Sequence, residues 1–447
     1  MLKFHDPLAL LGDLVSRARK DGADQADAVL IESIALSHAQ RLGKLEKLER
    51  AESFDLGLRV IVGKRQAIVS SNDRDADHGD ELVGRALAMA RSVPEDPYCG
   101  LADPAALAKQ IPDLDLADPV EPAPAVLAER AGAAEDAALA IKGVTNSEGA
   151  QAGWSRNRVA LVASNGFAGS YATTGHAVAV AVLAGNGTAM ERDDDWDSSV
   201  FGADLKDPAA IGRKAGERAV RRLGARKMPT AKVAVVFDPR VSASLLRHLS
   251  GAISGPSIAR GTSFLKDRMG QAVFPRGITI VDDPHLRRGR RSAPFDGEGI
   301  GTMKRDIVAD GVLQTWLLDL ASARQLKLAT TGHARRGTSG PPGPAPTNFY
   351  LAPGALTAHE LIGEVANGFY VTELMGMGVN GVTGDYSRGA AGFWIENGDL
   401  AFPVSEVTVA GNLKGMFRHL TPASDLEFRT GIDAPTVRID GMTVAGA

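Results

Sequence analysis

Cysteine is almost absent from the chain, which has a single one, Cys99, among 447 residues. One thiol excludes both an internal disulfide framework and a zinc site made of four cysteines. A nucleophilic cysteine–histidine pair would have to use Cys99, which lies in a proline-rich passage. We therefore interpret Cys99 as a thiol without a catalytic role.

The chain also has little net charge and few aromatic residues. Lysine and arginine number 50 against 54 acidic residues, a formal net charge of -4, whereas nucleic-acid binders normally carry a basic excess. Aromatic residues make up only 5%, but hydrophobic residues reach 44%, enough for sizeable cores in two or three domains. We do not expect nucleic acid as a partner.

No segment predicts a membrane span or a secretory signal. Every uninterrupted apolar run falls well short of the ~20 residues that cross a bilayer. The N-terminal residues MLKFHDPLALLGDL carry acids early and contain no small-residue cleavage site,. We expect a cytoplasmic protein with no membrane partner.

Complete catalytic motifs are missing as well. The chain has neither a GxSxG elbow nor a P-loop, and its nine histidines are scattered singly, with no pair one helical turn apart. His359-Glu360 begins like the HExxH zinc helix, but LIGEV follows and the second histidine is missing,. The residues alone therefore reveal no catalytic centre.

Three charged runs are given structural interpretations. The acidic run from Glu191 to Asp197 lacks the glycine and terminal glutamate of an EF-hand loop, and we predict a solvated loop, with a metal site as the alternative. The helix predicted from Asp207 to Leu223 has a basic side, which we expect to face solvent because cations are favourable near a helix C-terminus. The arginines from Arg287 to Arg291 do not by themselves predict a nucleic-acid site.

Local patterns predict an α+β protein of three parts. Residues 1–95 form an N-terminal α/β unit, in which Asp6-Pro7 begins a helix and a second helix runs from His78 to Val93. Residues 96–226 form a middle antiparallel unit, entered through a proline-rich connection over 94–124. Residues 227–447 form a β-rich C-terminal domain.

Two elements of the C-terminal domain are predicted with particular detail. Asp238-Pro239 begins a helix whose apolar face repeats at a period of about 3.6 residues, and His248 lies on that side, as a hydrogen-bonded core histidine. Asn397-Gly398 predicts a hairpin turn, since both central residues of such a turn need φ > 0. The last segment, Thr436 to Val444, is predicted as two paired strands around Asp440-Gly441.

A glycine-rich polar mouth precedes the hairpin. It consists of Gly384, Asp385, Tyr386, Ser387 and Arg388. Its backbone N–H groups and charges make Gly384, Asp385, Ser387 and Arg388 our candidates for contacting a peptide or a partner protein. A tight β-meander without a ligand is the alternative.

Segments along nearly the whole chain carry a family resemblance. They are NSEGAQAGWSRNRVALVASNGFAGSYATT in the middle, PFDGEG from Pro294, ASARQLKLATTGHARRG from Ala321, NFYLAPG from Asn348, and TGDYSRGAAGFWIENG with PVSEVTVAGNL near the C-terminus. Through them the chain resembles the TldD/PmbA family, also called modulators of DNA gyrase, and within it the PmbA/TldE branch.

The resemblance implies a cytosolic heterodimer that acts as a zinc metalloprotease on unfolded peptides, including peptide antibiotic precursors and antitoxins. In such a pair the TldD-type subunit holds zinc with an HExxxH helix and a distant cysteine. The equivalent helix here reads LLRHLSGA and places Arg247, His248 and Ala252 at the three motif positions. The cysteine position falls near Gly431 to Asp433, and no cysteine follows Cys99.

What the resemblance implies is therefore a non-catalytic subunit without a cofactor of its own, paired with a TldD-type subunit that carries the zinc. We expect it to help hold the unfolded peptide as an added strand, and a homodimer is the alternative assembly when the chain is alone. Two other functions stay open: a self-sufficient homodimeric metallopeptidase, and a gyrase-regulating or peptide-binding protein without protease activity.

Overall fold

In the part of the N-terminal half that the structure describes, the chain folds into one six-stranded sheet with four helices. The computed structural model describes residues 6–73 and 79–446. The elements of this half are α1 (Pro7–Lys20), β1 (Gln25–Arg41), β2 (Lys44–Val62), β3 (Arg65–Ser71), α2 (Gly79–Ser92), α3 (Pro124–Leu139), β4 (Val144–Ala163), β5 (Ala168–Ala184), β6 (Glu191–Ser199) and α4 (Pro208–Arg221). The predicted helix start at Asp6 is confirmed, since its carboxylate accepts a hydrogen bond from the Leu8 N–H at 3.0 Å,. The predicted start of the second helix at His78 lies outside the described residues.

The sheet is antiparallel, in the order β3-β2-β1-β4-β5-β6. Because β1 pairs with both β2 and β4, strands of the first and middle predicted parts lie side by side. The domain boundaries themselves stay a prediction. β2 is a long strand that begins at Lys44. Its residues 44–52 are exposed on both faces and so lack an alternating pattern, and they are held by pairing with β1,.

Two pairs of helices cover one face of the sheet. α1 and α2 pack on β1 to β3 through side chains such as Leu14 and Val83, and α3 and α4 pack on β4 to β6 through Leu127 and Ile211. The two helices of the second pair approach closely at Gly212, where a Cβ atom would lie 2.0 Å from a backbone oxygen of α3.

The opposite face packs against the proline-rich passage 94–124 and the C-terminal domain. Cys99 is buried there in an apolar cluster with Val29 of the sheet and Phe295, and burial raises the pKa of its thiol,. Arg324 fastens the passage by donating hydrogen bonds of 2.7–3.0 Å to three backbone carbonyls between residues 98 and 101.

The C-terminal domain is a closed barrel with a smaller sheet beside it. Its helices are α5 (Pro239–Ala252), α6 (Gly255–Ala259), α7 (Leu320–Leu326), α8 (Ala358–Gly363) and α9 (Leu413–Arg418). Its strands are β7 (Ala231–Phe237), β8 (Ile280–Asp282), β9 (Arg305–Ala309), β10 (Val312–Leu313), β11 (Ala334–Arg335), β12 (Gly343–Pro344), β13 (Phe349–Leu351), β14 (Asn367–Met375), β15 (Asp385–Glu396), β16 (Asp399–Asn412), β17 (Leu420–Pro422), β18 (Ile432–Asp433) and β19 (Val437–Ala445). Strands β16-β15-β14-β7-β19 follow one another and β16 pairs back with β19, which closes the barrel. The smaller sheet has the order β10-β9-β8-β13-β18.

Turn chemistry explains the hairpin of β15 and β16. Asn397 and Gly398 have φ values of 52° and 86°, so the predicted turn is confirmed. The prediction of two strands around Asp440-Gly441 is wrong, because β19 is one strand whose register shifts between Ile439 and Met442. Gly441, with φ 76°, supplies the irregular backbone of this bulge.

The acidic run is not a solvated loop, and that expectation is wrong. It forms edge strand β6, whose alternate side chains Asp193, Asp195 and Asp197 are buried. Arginines from neighbouring elements offset their charge: Arg218 lies 2.9 Å from Asp195, and Arg240 of α5 lies 2.7 Å from Asp193. The basic side of α4 is therefore in part an internal ion-pair surface.

The described architecture confirms the predicted α+β class with a β-rich C-terminal domain. Among the described residues, the helices are all too short or too polar to cross a bilayer.

Candidate functional site

Helix α5 carries the three positions that the family resemblance aligns with the two histidines and the glutamate of the HExxxH zinc motif. It packs between the barrel and the smaller sheet, with Leu245 and Leu249 in their shared core. On this helix Arg247 is exposed, His248 is half-buried and Ala252 is buried. The residue types therefore present a guanidinium, an imidazole and a methyl group.

His248 contacts an aromatic ring rather than a hydrogen-bond partner. Its ring centroid lies 5.9 Å from that of Tyr386 on β15, with the planes at 81°, and its Nε2 is buried without a partner among the described residues. The prediction of a hydrogen-bonded core histidine is therefore wrong. Burial lowers the pKa of His248, and the charges of Arg388 and Arg247 lower it further,, so the imidazole is neutral at physiological pH.

Tyr386 is the largest side chain at this contact and has its own unpaired group. It is 2% exposed, and its hydroxyl is buried with no partner within the described part of the chain. Burial raises the pKa of Tyr386 to about 12, so the hydroxyl keeps its proton. Tyr386 was part of the predicted mouth but was not among the candidates.

The predicted mouth divides into two faces of β15. Asp385 and Ser387 are exposed, whereas Tyr386 is buried and Arg388 is half-buried, as the alternation of a strand requires. Arg388 lies on the side of His248 and donates through Nε to the Met375 carbonyl at 3.1 Å. The alternation of side chains along a strand is the sequence signal that separates Tyr386 and Arg388 from Asp385 and Ser387.

Gly384 and Asp385 close a loop. Thr383 donates to the Asp385 carboxylate at 2.6 Å and Asn412 donates to it at 2.9 Å, which lowers the Asp385 pKa. Gly384 has φ 87°, and a Cβ atom there would lie 3.1 Å from the Asn412 side chain. Both residues therefore shape the loop that precedes β15.

The segment from Gly431 to Asp433, where the resemblance places a cysteine, lies next to α5. Ser242 of α5 donates to the backbone carbonyl of Ala434 at 3.3 Å. Both oxygens of the buried Asp433 carboxylate are already acceptors: Thr430 donates to one and the Gly431 N–H to the other, each at 2.9 Å through the backbone. Within residues 6–73 and 79–446, three or more His, Cys, Asp or Glu side chains nowhere form a group that could hold a metal ion.

A cleft of about 430 Å³ opens on the other side of this segment, between β6 and the C-terminal loops. Part of the arginine run lines it: Arg288 pairs with Asp115 at 2.7 Å and with Asp204 at 2.9 Å, and Arg290 donates to the Ser199 carbonyl at 3.2 Å. These arginines therefore join the two halves of the chain.

The incomplete HExxH match has a structural explanation. Glu360 is the third residue of α8, and its carboxylate accepts from the Thr357 N–H at 2.8 Å while the Thr357 hydroxyl accepts from the Glu360 N–H at 3.2 Å. This reciprocal pair is a helix capping box, so the glutamate starts the helix.

Three consecutive family models match this architecture. They are the PmbA/TldA metallopeptidase domain 1 over residues 26–90, the central domain over 111–223 and the C-terminal domain over 230–446. The chain therefore belongs to the PmbA/TldD metallopeptidase family, and the resemblance seen in its motifs is confirmed.

Relatives place it near the PmbA proteins of that family. Metalloprotease PmbA of Escherichia coli O157:H7 is 39% identical over 426 residues, 95% of this chain and 93% of that protein. The metalloprotease PmbA homolog of Haemophilus influenzae is 36% identical over 437 residues, 97% of this chain and 94% of that protein.

Solved structures share the whole fold. A Bacteroides thetaiotaomicron protein whose name refers to modulation of DNA gyrase superposes with a TM-score of 0.91 at 29% identity, covering 99% of this chain and 100% of that one. TldE from Thermococcus kodakarensis superposes with a TM-score of 0.88, covering 98% of this chain and 100% of that one. The two sequences are 20% identical, so this likeness shows the fold alone.

Proposed function

We propose that this chain is the non-catalytic, cytoplasmic subunit of a TldD/TldE-type zinc metallopeptidase that acts on unfolded peptides. The observation that carries the proposal is the donor chemistry on α5. An HExxxH helix offers zinc an imidazole at each of its two histidine positions, whereas Arg247 and Ala252 offer a guanidinium and a methyl group there.

The surroundings of these positions also disfavour a cation. His248 is the one zinc donor of the three, and the charges that act on its pKa are those of Arg388 and Arg247. A positive field of this kind repels a metal ion. At the cysteine position, the Asp433 carboxylate already accepts hydrogen bonds at both oxygens. The residues present do not fit the family's zinc ion, which the proposal assigns to a TldD-type partner.

The loop before β15 is our candidate surface for that partner or for the peptide. Its apolar side chains Met377 and Val382 are 89% and 55% exposed, as is 46% of Met375 at the adjoining end of β14. Arg388 donates to the Met375 carbonyl beside this loop. A group of exposed apolar side chains with a polar rim is typical of an interaction surface.

Reconstitution tests the proposal. The purified chain, a TldD-type HExxxH subunit and their mixture are each incubated with an unfolded protein substrate, with and without a zinc chelator. We expect hydrolysis by the mixture that the chelator abolishes, and none by this chain alone. Chelator-sensitive hydrolysis by this chain alone would instead support the second candidate, a self-sufficient metallopeptidase, which the name of the Escherichia coli relative favours.

A further inference from the structure

The outer edge of β2 lies open over the first half of the strand. β3 covers that edge only from Leu56 to Val62, whereas β2 begins at Lys44. From Lys44 to Glu52 every residue is exposed, and within the described part of the chain the backbone of this segment pairs with β1 alone. An edge of this kind presents a row of unpaired N–H and C=O groups, which is a template for pairing with another strand. We call residues 44–52 the open edge.

The charged residues of the open edge that pair with β1 have no opposite charges across from them. From Lys47 to Glu52, the residues opposite on β1 are Ala39, His38, Ser37, Leu36, Ala35 and Ile34. Lys44 lies opposite Arg41, a like charge. Lys47 contacts Glu49 along the strand at 2.5 Å, but the two side chains are 59% and 49% exposed, and such pairs contribute little to stability. Other contacts at this surface join Arg50 to Glu52 and Glu121. The complement of these charges is therefore missing from the neighbouring strand.

The order of charges along the open edge is self-complementary about Leu48. If two copies run antiparallel with Leu48 opposite Leu48, residues at equal distances on either side of it face each other. The facing pairs are Lys47 with Glu49, Glu46 with Arg50, Lys44 with Glu52 and Leu45 with Ala51. Opposite charges and apolar pairs directly across from each other stabilise antiparallel strands. A shift of one residue in either direction instead brings Glu46 opposite Glu49 or Lys47 opposite Arg50, so the charges select this register.

We propose that the open edge pairs with the open edge of a second copy of this chain, antiparallel about Leu48. The two six-stranded sheets then form one continuous sheet. The ladder between β1 and β2 passes over Glu46, a bulge that bends the strand, and the paired segment is short. We therefore expect a weak dimer, with a dissociation constant on the order of 10 μM. The interface uses neither α5 nor the loop before β15, so it goes beyond the proposed function and does not depend on a TldD-type partner.

Sedimentation analysis of the purified full-length chain tests whether this dimer forms. Between about 1 and 200 μM we expect the average molar mass to rise from that of one chain toward that of two. Lys47→Glu brings two carboxylates together at two points of the interface, so we expect about tenfold weaker pairing. The same substitution combined with Glu49→Lys restores opposite charges at both points, and we expect the affinity of the unchanged chain to return.

A lysine outside the open edge supplies the matched control. Lys109 is exposed, and Lys109→Glu makes the same change of net charge as Lys47→Glu, so we expect it to leave the dimer unaffected. A chain that stays monomeric at every concentration would overturn the inference. So would a dimer that Lys47→Glu weakens no more than Lys109→Glu does, or a double variant that pairs as weakly as Lys47→Glu alone.

Disulfide cross-linking tests the register independently of charge. In the expected dimer the Cα atoms of the two Leu48 residues lie about 4.5–5.5 Å apart, within the range that a disulfide spans, so Leu48→Cys should give a covalent dimer on oxidation. Leu45→Cys is the control, because the two copies of that residue lie six positions apart along the paired strands, about 20 Å. Leu48 and Leu45 are similarly exposed, at 52% and 60%, and Cys99 is buried. Equal cross-linking of the two variants, or none of either, would contradict the proposed pairing.

Discussion

Arg240, in the first turn of α5, donates to the buried carboxylate of Asp193 on β6 at 2.7 Å. This ion pair joins the helix that carries the candidate site to the edge of the N-terminal sheet. Arg222, directly after α4, adds a second positive charge 3.7 Å from the same carboxylate. The pair therefore couples the position of α5 to the fold of the other half of the chain.

Replacing Asp193 tests this coupling. In Asp193→Asn, Arg240 stays buried but loses its main counterion, which typically costs about 3 kcal/mol. We expect the free energy of unfolding in urea to fall by that amount. Asp194→Asn is the control, because its carboxylate pairs with Arg192 at the surface and its side chain is 40% exposed, so a change below about 1 kcal/mol is expected. Equal effects of the two substitutions would contradict the account.

Glu298 predicts a pH dependence of stability. Burial, together with the nearby Asp296 carboxylate, raises its pKa to about 8, so the folded state keeps a proton that the unfolded chain releases near its ordinary value of 4.5. The free energy of unfolding should therefore fall as pH rises from about 5 to 8, by up to ~1.4 kcal/mol per pH unit.

Glu298→Gln isolates that effect. The amide oxygen can still accept the hydrogen bond that the Leu320 N–H donates at 2.9 Å, and the side chain stays neutral at every pH. Urea unfolding of both proteins at pH 5, 7 and 8.5 should show a flatter curve for the variant above pH 6. Asp296, whose pKa is raised to about 6, still contributes below that. Parallel curves would show that Glu298 does not titrate in this range.

Substitutions of two glycines, one in the turn at Gly398 and one in helix α9, are expected to change the stability in opposite directions. In Gly398→Ala the residue keeps φ near 86°, and the added Cβ would lie 2.8 Å from the Gly363 carbonyl oxygen, so we expect a loss of about 2 kcal/mol. In Gly415→Ala, within α9, the Cβ has open space and a gain of about 0.5–1 kcal/mol is expected. Chemical denaturation of the two variants measures both values, and a neutral Gly398→Ala would be the contrary result.

The two faces of the mouth predict different consequences of charge reversal. Arg388→Glu places a negative charge beside His248 and Tyr386, so peptide hydrolysis by the reconstituted pair should fall about tenfold. Loss of the hydrogen bond to the Met375 carbonyl should lower the unfolding temperature only slightly, because that bond is exposed. Asp385→Lys loses the hydrogen bonds from Thr383 and Asn412, so the unfolding temperature should fall. Full hydrolysis with Arg388→Glu in an intact complex would remove this face from the functional surface.

Local signals predicted much of the fold. The cap at Asp6, the helix beginning at Asp238 and the turn at Asn397 depend on a few neighbouring residues, and all three are confirmed. Family motifs predicted where the candidate site lies, at Arg247 and His248.

Contacts between distant segments account for what the sequence did not reveal. The acidic strand β6 is stabilised by ion pairs with Arg218 of α4, Arg240 of α5 and Arg429. These arginines are distant in sequence, so the local pattern of β6 does not predict them. His248 faces Tyr386 from another element, so the environment of its ring depends on how α5 packs on the barrel. The exposed half of β2 likewise depends on its partner β1.

Metal content of the purified, untagged chain tests the central claim most directly. Elemental mass spectrometry of the chain, with a TldD-type subunit purified in the same way as the positive control, gives zinc atoms per polypeptide. The account predicts no stoichiometric zinc in this chain, because Arg247 and Ala252 replace ligands on α5. One tightly held zinc per chain would contradict it and make the self-sufficient metallopeptidase the leading explanation.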